Sequence, residues 1–256
     1  MATNALTNAL TNALDNKPAL NREERRKAAQ LEKRYGKIKA PAGTPPTIFV
    51  GYVRPRFPGM VHARFTDSLW TLAAASSGLY GMRPVAMESG PLLSRARNEL
   101  LRTFLEDTED EYFLAVDTDI IFYPSDLLAL LQADKPIVGA LYLTLNENEE
   151  LVCAHLDEDS AEPGRYRAVT LERLGAEESG PADPFVISGL GMGFTLIKRE
   201  VIQALTPIKP LFPFAESNED YGYGEDLTFC LRAKEAGFES WLVPEIKVGH
   251  IKEIVI

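Results

Sequence analysis

Two aspartates stand two residues apart in Asp117-Thr118-Asp119, directly after the apolar run Tyr112–Val116 (YFLAV). Where a strand frays into a loop, such a pair can converge on one divalent cation. Mg2+ or Mn2+ held this way keeps positions open for water and for diphosphate oxygens. An ordinary acidic turn carries the same spacing, so the motif alone decides nothing. A second acidic group is Tyr221-Gly222-Tyr223-Gly224-Glu225-Asp226, at the start of a helical pattern. Carboxylates in a first helical turn are common partners of the helix dipole. Open to a substrate hydroxyl, they also have the chemistry of a general base. His250, in Val248-Gly249-His250, can complete a metal's ligands if folding carries it to the aspartates. His62 and His155 are assigned no role.

Two further groups have backbone or side-chain chemistry to offer. Ser188-Gly189-Leu190-Gly191-Met192-Gly193 places glycines at alternate positions, leaving one face of the backbone bare for a close-lying ligand; a bulge is the competing reading. Arg95, Arg97 and Asn98 fall in a helical pattern, where they can reach a phosphate or a base or lie on the surface.

Positioning these groups requires alternating strands and helices. Thr47–Val53 is an apolar, β-branched strand, and Val61, Phe65, Leu69 and Leu72 then keep helical spacing up to the turn signals Gly78 and Gly81. Pro84–Met87 reads as a strand, and Leu93, Ala96, Leu100 and Phe104 line one face of a helix. The strand Tyr112–Val116 precedes a helix after Pro124, with Ser125 as its expected cap, and Ile137–Leu143 is the next strand. Residues 146–184 are acidic and turn-rich, with weak strands expected at Leu151–Leu156 and Arg165–Leu171. Order returns over Val186–Ile197, where the glycine run leads into a strand; Arg199–Leu205 reads as a helix and 207–218 as a Pro/Phe-rich loop. Asp226–Ala236 is helical with Gly237 as its stop, and Phe238–Val243 is the last strand. This order predicts an α/β fold with a mostly parallel sheet, helices on both faces and ligands at the carboxyl ends of the strands.

The chain has 256 residues, 45% of them apolar and 25% charged, enough to bury a core. Two cysteines exclude a disulfide framework, no apolar run suits a membrane span, and no secretory leader is visible, so a cytoplasmic setting is expected. The period-four repeat of residues 3–14 reads as a frayed tail, Asn21–Tyr35 as a short basic helix and 40–46 as a stiff linker. The expected division is a basic arm over 1–45 and one domain over 46–256. The arm holds nine basic and four acidic residues, which leaves 18 of the 27 basic and 33 of the 37 acidic residues in the body. A body of −15 disfavours broad nucleic-acid binding. An anionic ligand would need a cation to hold it.

In their order, these pieces resemble GT-A fold glycosyltransferases. The run Ser94–Asp119 is similar to their Ala-Arg-Asn, helix, strand, Asp-x-Asp block, and the likeness is greatest to family-2-like enzymes often encoded by bacteriophages. Gly139–Tyr142, Gly191–Phe194 with Leu196–Glu200, Pro210–Phe212, Gly224–Asp226 with Phe229-Cys230, and Gly249-His250 continue it, over residues 47–252. The resemblance implies a GT-A (Rossmann-like) fold and transfer of a sugar from a UDP- or GDP-sugar to an acceptor hydroxyl, with a lean towards inversion. It implies Mn2+ or Mg2+ on Asp119 and His250, with Asp117 on the metal or the ribose. Asp226 would be the base, with Glu225 second. Tyr52 and Arg54 would face the base, Arg97 and Asn98 the donor, and Gly191 and Gly193 the sugar, with the loop Pro210–Tyr223 closing over it. The acceptors it suggests are a virion protein, a glycan or a modified base. Two readings from other classes compete: a metal-dependent nucleotidyltransferase or phosphohydrolase, and a non-catalytic assembly module.

Overall fold

The structure is a computed structural model that describes residues 44–56, 61–76, 78–90, 92–145, 151–170, 174, 183–207, 210–212 and 224–252. The tail and basic helix expected in the arm, the loop 213–223 and the glycine-tyrosine run before Gly224 lie outside them.

The chain alternates as its periodicity predicts. Strand β1 (Thr47–Pro55) leads to helix α1 (Ala63–Ala75), β2 (Gly81–Ser89), α2 (Leu93–Asp107), β3 (Tyr112–Asp117), a short β4 (Ile120–Ile121), α3 (Pro124–Ala133) and β5 (Ile137–Leu141). Short strands β6 (Leu143–Leu145), β7 (Leu151–Cys153), β8 (Leu156–Glu158) and β9 (Tyr166–Ala168) form two hairpins, β6 with β7 and β8 with β9. Then come β10 (Phe185–Ile187), β11 (Phe194–Lys198), α4 (Arg199–Leu205), α5 (Glu225–Glu235), β12 (Ser240–Lys247) and β13 (Gly249–His250).

Seven strands make one sheet in the order β10-β12-β5-β11-β3-β1-β2. β1 pairs parallel with β2 and β3, and β12 parallel with β5, while β11 runs antiparallel between β3 and β5 and β10 antiparallel to β12. Five strands therefore run one way and two the other, which is the mostly parallel α/β sheet expected. Apolar side chains alternate between its two faces. Ile48, Val50, Leu114, Val116, Val138 and Leu196 join Phe65 and Leu72 of α1 and Leu127 and Leu130 of α3 in one core. Phe49, Phe113, Ile137 and Ile197 join Leu100 and Phe104 of α2, Val201 of α4 and Phe229 of α5 in the other. Burial on both faces is why these strands read as unbroken apolar runs rather than alternating ones.

Several boundaries differ from the sequence reading, each for a local reason. Val186–Ile197 is two strands, because the chain turns through Ser188–Gly193 and β11 joins β3 rather than continuing β10. The run Ile137–Leu143 breaks at Tyr142, after which β6 turns to pair with β7. The cap of α3 is Tyr123 rather than Ser125: Pro124 takes the first helical position, and the buried Asp126 accepts a hydrogen bond from the Tyr123 N–H at 2.9 Å. Gly237 ends α5 as expected, at φ +90°, a backbone region that glycine enters without strain. No helix among the described residues is long and apolar enough to cross a membrane.

Candidate functional site

Residues distant in sequence meet at the carboxyl ends of β1, β2 and β3. Asp117 is the last residue of β3, and its N–H donates to the Gly193 carbonyl just before β11 at 3.1 Å. α2 packs its inner face on the sheet through Ala96, Leu100, Leu101 and Phe104, and Arg97 shares that buried face. The Arg97 guanidinium meets three carboxylates there. Nη2 donates to Asp117 Oδ1 at 3.0 Å, and Nη1 donates to Glu225 Oε1 at 2.8 Å and to Asp226 Oδ1. Burial works against the guanidinium charge, but Asp226, Asp117 and Glu225 outweigh it and raise the pKa above its ordinary value. Asp226 Oδ2 accepts the Met192 N–H at 3.1 Å, so both of its oxygens are anchored. Burial, with Glu225 and Asp117 nearby, lifts the Asp226 carboxyl to about 6 against the pull of Arg97.

Asp119 belongs to a separate group. Antiparallel pairing of β13 with β4 sets His250 opposite Ile120, and the Ile251 N–H donates to the Asp119 carbonyl at 2.8 Å. His250 Nε2 lies 3.1 Å from Asp119 Oδ2, and Lys252 Nζ lies 3.8 Å from the same oxygen. Desolvation opposes the Asp119 charge, but His250 and Lys252 prevail and hold its carboxyl below the usual range. His250 Nδ1 is 2.8 Å from the Leu143 carbonyl, which can only accept, so Nδ1 carries the hydrogen. Nε2 donates to Asp119 Oδ2 when the ring is charged, and in the neutral ring it offers a lone pair beside that oxygen, where a shared cation would fit. Asp119 and His250 thus fit a divalent metal that takes oxygen and nitrogen ligands and completes its shell from ligand and water. Asp117 is turned to Arg97, and no three-residue ligand group stands among the described residues.

A cleft of about 780 Å³ opens beside Asp117, Thr118 and Asp119. Its walls are Val53, Pro55 and Arg56 at the end of β1, Ser89 and Gly90 at the end of β2, and Leu93 at the start of α2. Of the residues the resemblance assigns to the donor, Asp117 lines this cleft and Arg97 holds it from behind. Tyr52 packs against Phe65 of α1, with ring centroids 5.2 Å apart. Arg54 pairs with Glu88, its neighbour across β1 and β2, at 3.0 Å. Neither lines the cleft, whose β1 wall is Val53, Pro55 and Arg56. Asn98 is engaged with backbone: its amide donates to the Phe212 carbonyl at 2.6 Å and the Ser94 carbonyl at 2.8 Å, and its oxygen accepts the Phe212 N–H at 3.0 Å. It fastens residues 210–212 to α2.

Gly191 and Gly193 do leave a bare backbone, and a tyrosine fills it. A Cβ on Gly193 would lie 2.7 Å from the Tyr142 ring, and one on Gly191 would collide with the Tyr142 hydroxyl. That hydroxyl accepts the Gly193 N–H at 3.1 Å. The Tyr142 ring stands edge-on between His155 and His250, with centroids 5.0 and 5.3 Å away. His155 is fully buried: Nδ1 accepts the Gly191 N–H at 3.1 Å and Nε2 donates to the Ala140 carbonyl at 2.8 Å. Burial drives its pKa down to about 4, so it is a neutral pin between β5 and the glycine turn. Tyr142, His155 and Lys252 are the residues that sequence reasoning passed over.

No protein-family model matches the chain, and no curated protein matches its sequence. Among solved structures, the crystal structure of A197 from STIV is similar over 81% of this chain and 86% of that one, at 16% identity and a TM-score of 0.49. The crystal structure of GalNAc-T7 with UDP, GalNAc and Mn2+ is similar over 81% of this chain and 43% of that one, at 16% identity and a TM-score of 0.46. This chain thus covers less than half the length of GalNAc-T7.

Proposed function

We propose that the chain is a GT-A-type glycosyltransferase that moves a sugar from a nucleotide-diphosphate sugar to an acceptor hydroxyl, with inversion. The observation that carries this reading is the Arg97 cluster. One buried guanidinium joins the cleft-lining Asp117 to the Glu225–Asp226 pair of α5, so a donor site and a base are held as one unit.

Asp226 accepts the proton of the acceptor hydroxyl as its oxygen bonds to the anomeric carbon. The bond from that carbon to the phosphate oxygen breaks, and the nucleoside diphosphate leaves with the electron pair. A carboxyl poised at about 6 suits proton transfer near neutral pH. Arg97 and the Met192 N–H orient it, and each oxygen keeps a lone pair for the incoming hydrogen. Glu225 shares Arg97 and adds negative charge beside the base. Asp117 accepts hydrogen bonds from donor hydroxyls in the cleft, and Tyr142 keeps the glycine turn and the His250 ring in place. Asp119 and His250 would hold Mn2+ or Mg2+, which when bound supplies Lewis-acid stabilisation of charge on the departing diphosphate.

Thermal shift against a panel of nucleotide sugars, with and without Mn2+, followed by product analysis of the stabilising compounds, tests the proposal. Release of nucleoside diphosphate is expected. Nucleoside monophosphate or pyrophosphate would instead indicate nucleotidyl transfer or phosphohydrolysis. Asp226→Asn should bind donor like the parent while transfer falls by about a hundredfold or more. Loss of donor binding would assign Asp226 to structure instead.

A further inference from the structure

Cations near the site are mostly committed: Arg97 to three carboxylates, Arg54 to Glu88 and Lys252 to Asp119. Arg56 differs. It is exposed, it lines the cleft facing Asp117–Asp119, and its guanidinium has no ion-pair partner among the described residues. Its backbone is fixed, since the Arg56 N–H donates to the Ser89 carbonyl at 3.2 Å and extends the β1–β2 ladder by one step. The same cleft receives the start of the 15-residue helix α2. Leu93 is its first residue, and its cap, Leu92, supplies no side-chain acceptor for the first-turn N–H groups. A free guanidinium and an uncapped helix start, on the walls of one cleft, both favour a negative group. The aspartates opposite are already partnered, Asp117 by Arg97 and Asp119 by His250 and Lys252, so they repel an anion less than two bare carboxylates would.

We propose that Arg56 is the phosphate-binding residue of this cleft, contacting the diphosphate of a bound nucleotide. Its planar fork of donors matches phosphate oxygens two at a time. The assignment rests on the reading of the chain as a user of nucleotide-diphosphate sugars, and it adds a residue which that reading does not name.

Titration calorimetry with UDP, GDP, uridine, guanosine and inorganic phosphate, on the parent, Arg56→Gln and Arg56→Lys, separates the possibilities. Arg102→Gln, whose side chain pairs with Glu99 and Glu106 on the outer face of α2, is the control. The parent should bind one of the two nucleotides. Arg56→Gln should weaken that nucleotide about tenfold or more, leave its nucleoside unchanged and flatten the salt dependence, with Arg56→Lys in between. Phosphate alone should bind weakly and lose affinity in the same variant. Nucleotide affinity equal to the parent's in Arg56→Gln overturns the assignment. An equal loss for nucleoside and nucleotide overturns it too, because the contact would then lie on the base or ribose. A parent that binds neither nucleotide, with Mn2+ or without, overturns the glycosyltransferase reading itself.

Discussion

Replacing Asp226 by asparagine should change how stability responds to acid, and the size of the change follows from two half-buried or buried groups that pull in opposite directions. The folded chain raises the Asp226 carboxyl from its ordinary 3.8 to about 6, chiefly by burial. Folded Asp226 therefore binds a proton more readily than unfolded Asp226, and its contribution is greatest below its unfolded value and is lost as pH rises through about 6. Burial moves His155 the other way, from 6.5 to about 4. The unfolded chain takes that proton first, so this contribution is present above about 6.5 and is lost as pH falls towards about 4. At ~1.4 kcal/mol per proton and pH unit, acidification from about pH 7 to about pH 5 gains roughly 1 kcal/mol through Asp226 and loses roughly 2 kcal/mol through His155. The parent should lose about 1 kcal/mol or less over that interval, Asp226→Asn about 2 kcal/mol, and His155→Gln should gain about 1 kcal/mol. Urea unfolding followed by tryptophan fluorescence at the two pH values measures each difference. If Asp226→Asn and the parent respond to acid alike, the Asp226 carboxyl is not perturbed on folding. Its suitability as a base near neutrality then has no support.

Gly193→Ala should cost about 1–3 kcal/mol in urea unfolding, because its Cβ meets the Tyr142 ring at 2.7 Å; adding Tyr142→Ala should recover part of that loss non-additively. Arg97→Met leaves Asp117, Glu225 and Asp226 facing one another without their shared cation, each 24–36% exposed. Partial exposure puts the cost at about 3 kcal/mol at neutral pH, the low end for a broken buried pair, and it should shrink in acid as the carboxyls protonate. The rate of sugar transfer should rise with pH to a plateau, with a midpoint near the Asp226 value of about 6. A flat rate between about pH 5 and pH 8 would mean that Asp226 is not the base.

The sheet was readable in the sequence because its strands are buried on both faces: TIFVGYV, YFLAV and IVGAL are apolar whichever side they face. What could not be read is where such a run stops. Val186–Ile197 is apolar and glycine-spaced throughout, and only the long-range pairing of Phe194 with Val116 shows that two strands and a turn share it. The site divides in the same way. Asp117, Asp119, Glu225, Asp226 and His250 were visible as residue types in suggestive places. Their grouping was not, because it depends on contacts 128 and 129 residues apart through Arg97 and 131 apart through His250. Tyr142 was the hardest to see, since a tyrosine in an apolar strand looks like core. It is core, yet its hydroxyl decides why residues 191 and 193 are glycine.

Net charge was the weakest guide to ligand chemistry, and the structure shows why. A body of −15 suggests a cleft that repels anions until a metal intervenes. Coulomb forces act over local distances, and a charge is felt in the cleft only as far as its partners leave it uncancelled. Asp117 shares a buried guanidinium, Asp119 sits against His250 and Lys252, and Asp159 and Glu162 of the hairpin insert pair with Arg165 and Arg167. Among the described residues, the cleft-wall group without an ion-pair partner is a cation, Arg56, beside the positive end of a helix. Metal dependence therefore does not follow from the acidity of the body. In the proposed reading it would rest on Asp119 and the neutral ring of His250, whose Nε2 lies 3.1 Å from Oδ2, with Arg56 proposed to bind anions alongside any metal held there.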